Sequence, residues 1–114
     1  MQRFVKVPMA QGYFTGIDPL ARLAFGLLWD RYRLSDTNVT NAGLNDSAWY
    51  DEAFDDIFFV YDVAKLAADM GCSERTARRC LDDLRRGGII TWKRTRFGGA
   101  NKYFIPQYIK DSMR

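Results

Sequence analysis

The chain has 114 residues, 47% apolar and 15% aromatic, which supplies the core of one domain and excludes a disordered chain. Because it contains neither a membrane-length apolar run nor the apolar segment of a signal peptide, we expect a cytoplasmic protein without a membrane partner. Histidine is absent, Cys72 and Cys80 are too few for a four-ligand zinc site, and no glycine-rich phosphate loop occurs, so we expect no metal, no cofactor and no enzymatic activity.

The net charge of +3 hides a marked asymmetry along the chain. Residues 1–62 carry 5 Lys and Arg against 9 Asp and Glu, whereas residues 63–114 carry 12 against 5. A polarised charge distribution of this kind favours a polyanionic partner such as nucleic acid. The alternative is that the basic half only keeps the protein soluble.

The N-terminal half is predicted to contain a long helix with one short strand before it and one after it. Residues 4–8 alternate apolar and polar side chains and predict a strand that ends at Pro8. Asp18 and Pro19 are typical of a helix N-terminus, and a core-facing apolar stripe follows them. This helix is expected to end near residues 33–35. Residues 35–56 are interpreted as a long acidic loop whose carboxylates are either solvated or turned to a partner, and residues 57–61 as a buried strand.

The C-terminal half has the pattern of a helix-turn-helix followed by a hairpin. Asp62 can cap a helix that ends at Gly71, and Ser73 can cap the next one, which ends at 87–88. Strands are predicted over residues 89–94 and 102–105, with glycines at the tip between them. The order of elements predicts an α+β winged helix over residues 1–106, with three main helices, a small antiparallel sheet and a wing at 89–105.

The exposed face of the helix after Ser73 is the candidate DNA-reading surface. A core stripe of Ala77, Cys80, Leu81 and Leu84 turns the opposite face outward. Residues near the start of such a helix reach base edges, which nominates Arg75, Thr76, Arg78 and Arg79. Phosphate and wing contacts are predicted for Ser73, Lys93, Arg94, Arg96, Asn101 and Lys102.

Three charged residues later in this helix are given supporting roles. Arg85 and Arg86 are interpreted as charges that stabilise the helix end. Asp82 is expected to orient Arg79 or Arg86, one turn to either side. For the wing, the alternative is that its cations only protect a solvated edge strand from aggregation.

Several segments in fixed order carry a family resemblance. They are Leu23–Arg31, the strand at 57–61, Cys72–Ser73, Gly88–Ile90 and Lys93–Arg94. In these the chain resembles the N-terminal domain of plasmid replication initiator A proteins of Gram-positive bacteria. The resemblance implies binding to repeated duplex DNA sequences at a plasmid origin, usually as a homodimer. It also implies recruitment of host replication proteins through a separate C-terminal domain, so residues 107–114 are expected to be a tail or the start of a linker.

Two other functions fit the same scaffold. A winged helix can serve as a transcriptional regulator, because the fold does not determine which site is bound. It can also bind a protein partner during replisome assembly, through the acidic patch or the aromatic residues Trp49, Tyr50 and Phe54.

Overall fold

The computed structural model of the protein describes residues 12–42, 50–51, 53–94 and 101–113. The helices in these ranges are α1 (Pro19–Ala42), α2 (Val63–Met70), α3 (Glu74–Arg86) and α4 (Gln107–Met113). The strands are β1 (Tyr50–Asp51), β2 (Asp56–Ile57), β3 (Phe59–Val60), β4 (Thr91–Lys93) and β5 (Lys102–Phe104). β1 pairs with β2, and a second antiparallel sheet has the order β3-β5-β4. The predicted α+β winged-helix architecture is confirmed.

Helix α1 begins where the sequence predicts and extends further. The Asp18 carboxylate accepts a hydrogen bond from the Leu20 amide at 2.9 Å. On the core-facing side of the helix, Phe25, Leu28 and Tyr32 are buried. The expected end near residues 33–35 is wrong, because the helix continues to Ala42. No proline or glycine occurs between residues 27 and 42, so nothing in the backbone forces an earlier stop.

The predicted loop at 35–56 is correspondingly wrong in extent. Its first eight residues belong to α1, and further along β1 and β2 pair Tyr50 with Ile57 and Asp51 with Asp56. The loop residues 43–49, like the strand predicted at 4–8, lie outside the described part of the chain.

The helix-turn-helix is confirmed in detail. The Asp62 carboxylate caps α2 by accepting from the Ala64 amide, and Gly71 ends that helix in the left-handed conformation, at φ 73°. Ser73 then caps α3 by accepting from the Thr76 amide at 3.2 Å. The inner face of α3 is buried as predicted, and burial raises the pKa of the Cys80 thiol, so this cysteine is a core residue.

The apolar run at 57–61 forms two strands instead of the single one that was predicted. Ile57 belongs to the β1–β2 pair, whereas Phe59 pairs with Tyr103 in the second sheet. The chain changes sheet at Phe58, which is itself buried. A short apolar run has no local feature that marks such a change of partner.

Residues 107–114 are not a simple tail, because residues 107–113 form α4. Ile109 and Met113 lie on one face of this helix and are buried in the core. Lys110 is 4% exposed and pairs with Asp56 at 2.7 Å, and the Tyr108 hydroxyl donates to the Gly88 carbonyl. The expected domain boundary at 106 is therefore too early. No helix in the described ranges combines the length and apolar character of a membrane span.

Candidate nucleic-acid interface

The start of α3 presents cations on its outer face. Arg75 is exposed and forms no ion pair with any residue that the structure describes. The Arg79 guanidinium lies 3.3 Å from the Asp18 carboxylate, and the two side chains are 52% and 39% exposed. The amide of Leu20 and the Arg79 side chain both lower the pKa of Asp18, so this carboxyl is a stable anion at the N-terminus of α1.

Ser73 and Thr76 form the N-terminal cap of α3. The Ser73 hydroxyl accepts a hydrogen bond from the Thr76 amide. It also donates one to the Thr76 hydroxyl, at 3.0 Å. Thr76 is half-buried, so the two residues fix the end of the helix from which the sequence predicts base contacts. The cap therefore stabilises the first turn of α3, from which Arg75 projects.

Asp82 does not have the role that the sequence suggested. Arg79 pairs with Asp18, and Arg86 pairs with Asp83 at 2.6 Å. The prediction that Asp82 orients Arg79 or Arg86 is therefore wrong, since each of these arginines pairs with a different carboxylate. Asp82 is exposed and lies instead on the side of α3 that faces the wing.

Arg85 connects α3 to the wing. Its guanidinium carbon lies 4.1 Å from the centroid of the Trp92 ring, and its Nη2 lies 3.5 Å from the Trp92 carbonyl. An arginine stacked on an indole ring gains a cation–π attraction and is held in one orientation. Arg85 thus contacts β4 directly, in keeping with a supporting role.

The strand register decides which wing residues face α3. Trp92 pairs with Tyr103, and both side chains lie against α3, with Tyr103 buried. Side chains alternate between the two faces of a strand, so Arg94 and Asn101 share this face. Both line a cavity of about 180 Å³ together with Arg78. A neighbouring cavity of about 220 Å³ extends to the start of α2, and we call the two the wing groove.

Lys93 and Lys102 lie on the other face of the wing. They are paired in register, and their ammonium groups lie 2.5 Å and 3.5 Å from one oxygen of Asp51. Asp51 is 6% exposed, and its pKa is lowered chiefly by the hydrogen bond from Lys93. The interpretation of the acidic run as solvated or partner-facing is therefore wrong for Asp51. No local signal links Asp51 to lysines 42 and 51 positions away.

The structure thus divides the predicted site residues into three groups. One group surrounds the start of α3 and the wing groove and contains Ser73, Arg75, Thr76, Arg78, Arg79, Arg94 and Asn101. The two lysines of the opposite wing face form the second. Arg96 lies outside the described residues. Within those residues, no three Cys, Asp or Glu side chains come together as metal ligands.

Comparison with known proteins agrees with this architecture. The model of the family described as the N-terminus of replication initiator protein A matches residues 1–113. Among curated proteins, none matches the chain.

Solved structures of similar fold cover almost the whole chain. One described as the N-terminal domain of a DNA binding protein has a TM-score of 0.67 and 23% identity, over 93% of this chain and 76% of that one. A second, described as a Rep–DNA complex, has a TM-score of 0.66 and 23% identity over the same shares. A third, described as an MDR initiator, has a TM-score of 0.64 and 20% identity, over 99% of this chain and 91% of that one. These likenesses establish the fold.

Proposed function

Because the chain belongs to the replication initiator protein A family, we propose that it binds duplex DNA at repeated sequences of a plasmid origin during initiation of replication. In this proposal it acts by binding and not by catalysis. The similarity in fold to a protein solved as a Rep–DNA complex supports DNA as the partner.

The observation that carries the proposal is the set of four exposed arginines that α3 and one face of the wing present together. Three carboxylates also line the wing groove, namely Asp62, Glu74 and Asp82. Arg75 and Arg79 occupy the outer face of the helix, and Arg78 and Arg94 line the wing groove beside it. An α-helix fits the major groove of B-DNA, and a hairpin at its side can follow the phosphate backbone. A duplex bound here would meet the four arginines at its base edges and phosphates.

The pairing of each arginine bears on what it can contact. Arg75 has its guanidinium available, and the planar fork of arginine matches the O6 and N7 atoms of guanine. Arg79 must exchange Asp18 for DNA, but an ion pair this exposed is worth about 1 kcal/mol or less, so the exchange is easy. We assign base contacts to Arg75, Thr76 and Arg79, with Arg78 at a base or a phosphate.

The remaining contacts are assigned to the DNA backbone. Ser73 lies at the N-terminus of α3, where the helix dipole favours a phosphate. Arg94 and Asn101 extend the same surface along the wing. These contacts would position the domain and supply the salt-dependent part of the affinity.

We further propose that the protein binds its repeats as a homodimer. A single winged helix covers only a few base pairs, and two copies at fixed spacing give the specificity that an origin requires. Sedimentation of the protein, free and bound to a duplex carrying the repeats, tests this. A complex of one protein chain per pair of repeats would contradict it.

Fluorescence anisotropy with labelled duplexes that tile the replicon encoding the protein tests the proposed function. We expect one duplex to bind more tightly than a scrambled duplex of the same composition, with affinity falling steeply as salt rises. Arg75→Ala and Arg79→Ala should each cost about 1–3 kcal/mol of binding free energy.

Arg33→Ala is the matched control. It removes the same charge from an exposed position on α1, about 22 Å along the helix from Asp18. Its affinity should stay close to that of the unmodified protein. Absence of binding to every duplex, or affinity that does not respond to salt, would contradict the proposal.

A further inference from the structure

The wing carries two like charges directly opposite each other. Lys93 on β4 faces Lys102 on β5, and like charges at such a position destabilise a strand pair. One carboxylate compensates both of them, since Asp51 contacts each ammonium group from outside the sheet. The hairpin of the wing is therefore stabilised by a residue that does not belong to it.

Asp51 is part of a larger packing arrangement, which we call the brace and define as residues 50–51 and 53–58. The Phe54 ring stacks on Phe104 of β5 with centroids 4.3 Å apart. The ammonium of Lys93 lies 5.0 Å from the Phe54 ring, and that of Lys102 lies 4.5 Å from the Phe58 ring. The brace thus covers the face of the wing opposite the wing groove.

The brace is also internally ordered at the point of contact. One oxygen of Asp51 accepts from the Phe54 amide at 3.1 Å, while the other receives the two lysines. With 6% of Asp51 exposed, water competes weakly for these bonds, so the carboxylate has a fixed direction. A fixed anion that contacts a side chain of each strand restrains how the hairpin can tilt.

We propose that Asp51 is a positioning residue for DNA binding, which holds the wing so that Arg94 and Asn101 stay beside α3. This inference rests on the proposed function and goes beyond it, because it assigns Lys93 and Lys102 to holding the wing instead of to DNA phosphates. Asp51 itself touches no DNA. The brace acts on DNA only through the orientation of the opposite wing face.

The two assignments of these lysines predict opposite signs for one substitution. Asp51→Asn removes a negative charge and releases both lysines. If the lysines contact phosphates, the variant binds DNA more tightly than the unmodified protein does. If the carboxylate holds the wing, the variant binds more weakly, by about five- to tenfold, the size of one lost contact.

The test is anisotropy of the full chain with the tightest-binding duplex, at a temperature where circular dichroism shows each variant to be folded. Asp111→Asn is the matched control, because it removes the same charge from an exposed position on α4, outside both the brace and the wing groove. It should bind as the unmodified protein does or slightly better.

A second variant keeps the test decisive if Asp51→Asn does not fold. Phe54→Ala removes a half-exposed ring of the brace and changes no charge, with the exposed Leu34→Ala on α1 as its control. The positioning role predicts that Phe54→Ala weakens DNA binding and that Leu34→Ala does not. Direct phosphate contact by the lysines predicts no change.

The outcomes separate the two proposals. Tighter binding by Asp51→Asn, or unchanged binding by Phe54→Ala, overturns the positioning role while the DNA-binding function stands. Failure of the unmodified protein to bind any duplex overturns both.

Discussion

Arg78 and Arg85 lie seven residues apart on nearly the same side of α3, yet the structure gives them different tasks. Arg78 lines the wing groove, whereas Arg85 is stacked on Trp92. We predict that Arg78→Ala lowers DNA affinity and leaves stability unchanged. Arg85→Ala should do the reverse, with most of its effect on the free energy of unfolding.

The magnitudes follow from the contacts. Arg78 pairs with Glu74 at 3.6 Å, with side chains 64% and 51% exposed, and such a helical pair is worth about 0.5 kcal/mol or less. The DNA contact that Arg78→Ala removes should cost about 1–3 kcal/mol of binding free energy. Arg85 loses a cation–π contact and a favourable charge at the helix C-terminus, together about 1–2 kcal/mol of stability.

Urea unfolding followed by circular dichroism measures the stability of both variants, and anisotropy measures their DNA affinity. The urea midpoint should shift for Arg85→Ala and stay within error for Arg78→Ala. A destabilisation by Arg78→Ala of more than about 1 kcal/mol, with normal DNA binding, would contradict its assignment to the DNA surface. Intact stability with loss of DNA binding in Arg85→Ala would contradict the structural role of Arg85.

Three further predictions concern stability. Ser73→Ala removes the cap of α3 and should cost about 1 kcal/mol in urea unfolding; no change would show that the cap does not hold the helix. Leu84→Ala opens a cavity in a fully buried site and should cost about 2–5 kcal/mol, whereas Leu34→Ala at an exposed site should cost less than about 0.5 kcal/mol. Because the folded-state pKa of Asp51 is lowered, its stabilisation is complete above the ordinary pKa of 3.8 and is lost as pH falls through the lower folded value. Asp51→Asn should therefore flatten the acid side of the stability–pH profile, and an unchanged profile would contradict the pairing.

The parts that sequence predicted well are those encoded by neighbouring residues. Asp62, Gly71 and Ser73 each satisfy backbone groups within a few positions, so the helix-turn-helix follows from local chemistry. The inner face of α3 also follows from spacing alone. The outer arginines, placed by the same periodicity, lie on the exposed side as expected.

The parts that sequence missed depend on distant partners. The change of sheet at Phe58 depends on whether β1 or β5 is the neighbour, which no local pattern reveals. The pairing of Asp51 with the wing lysines is of the same kind. The end of α1 and helix α4 were missed for a different reason, because polar residues near 35–42 and a short apolar stripe at 109 and 113 are weak signals.

Mapping of backbone amide shifts by NMR, as the tightest-binding duplex is added, locates the DNA interface residue by residue. We predict that the largest shifts occur at residues 73–79 at the start of α3 and at Arg94 and Asn101 on the wing. Amides around Arg33 on α1 should change little. Shifts concentrated on α1 or α4, with the start of α3 unaffected, would contradict this prediction.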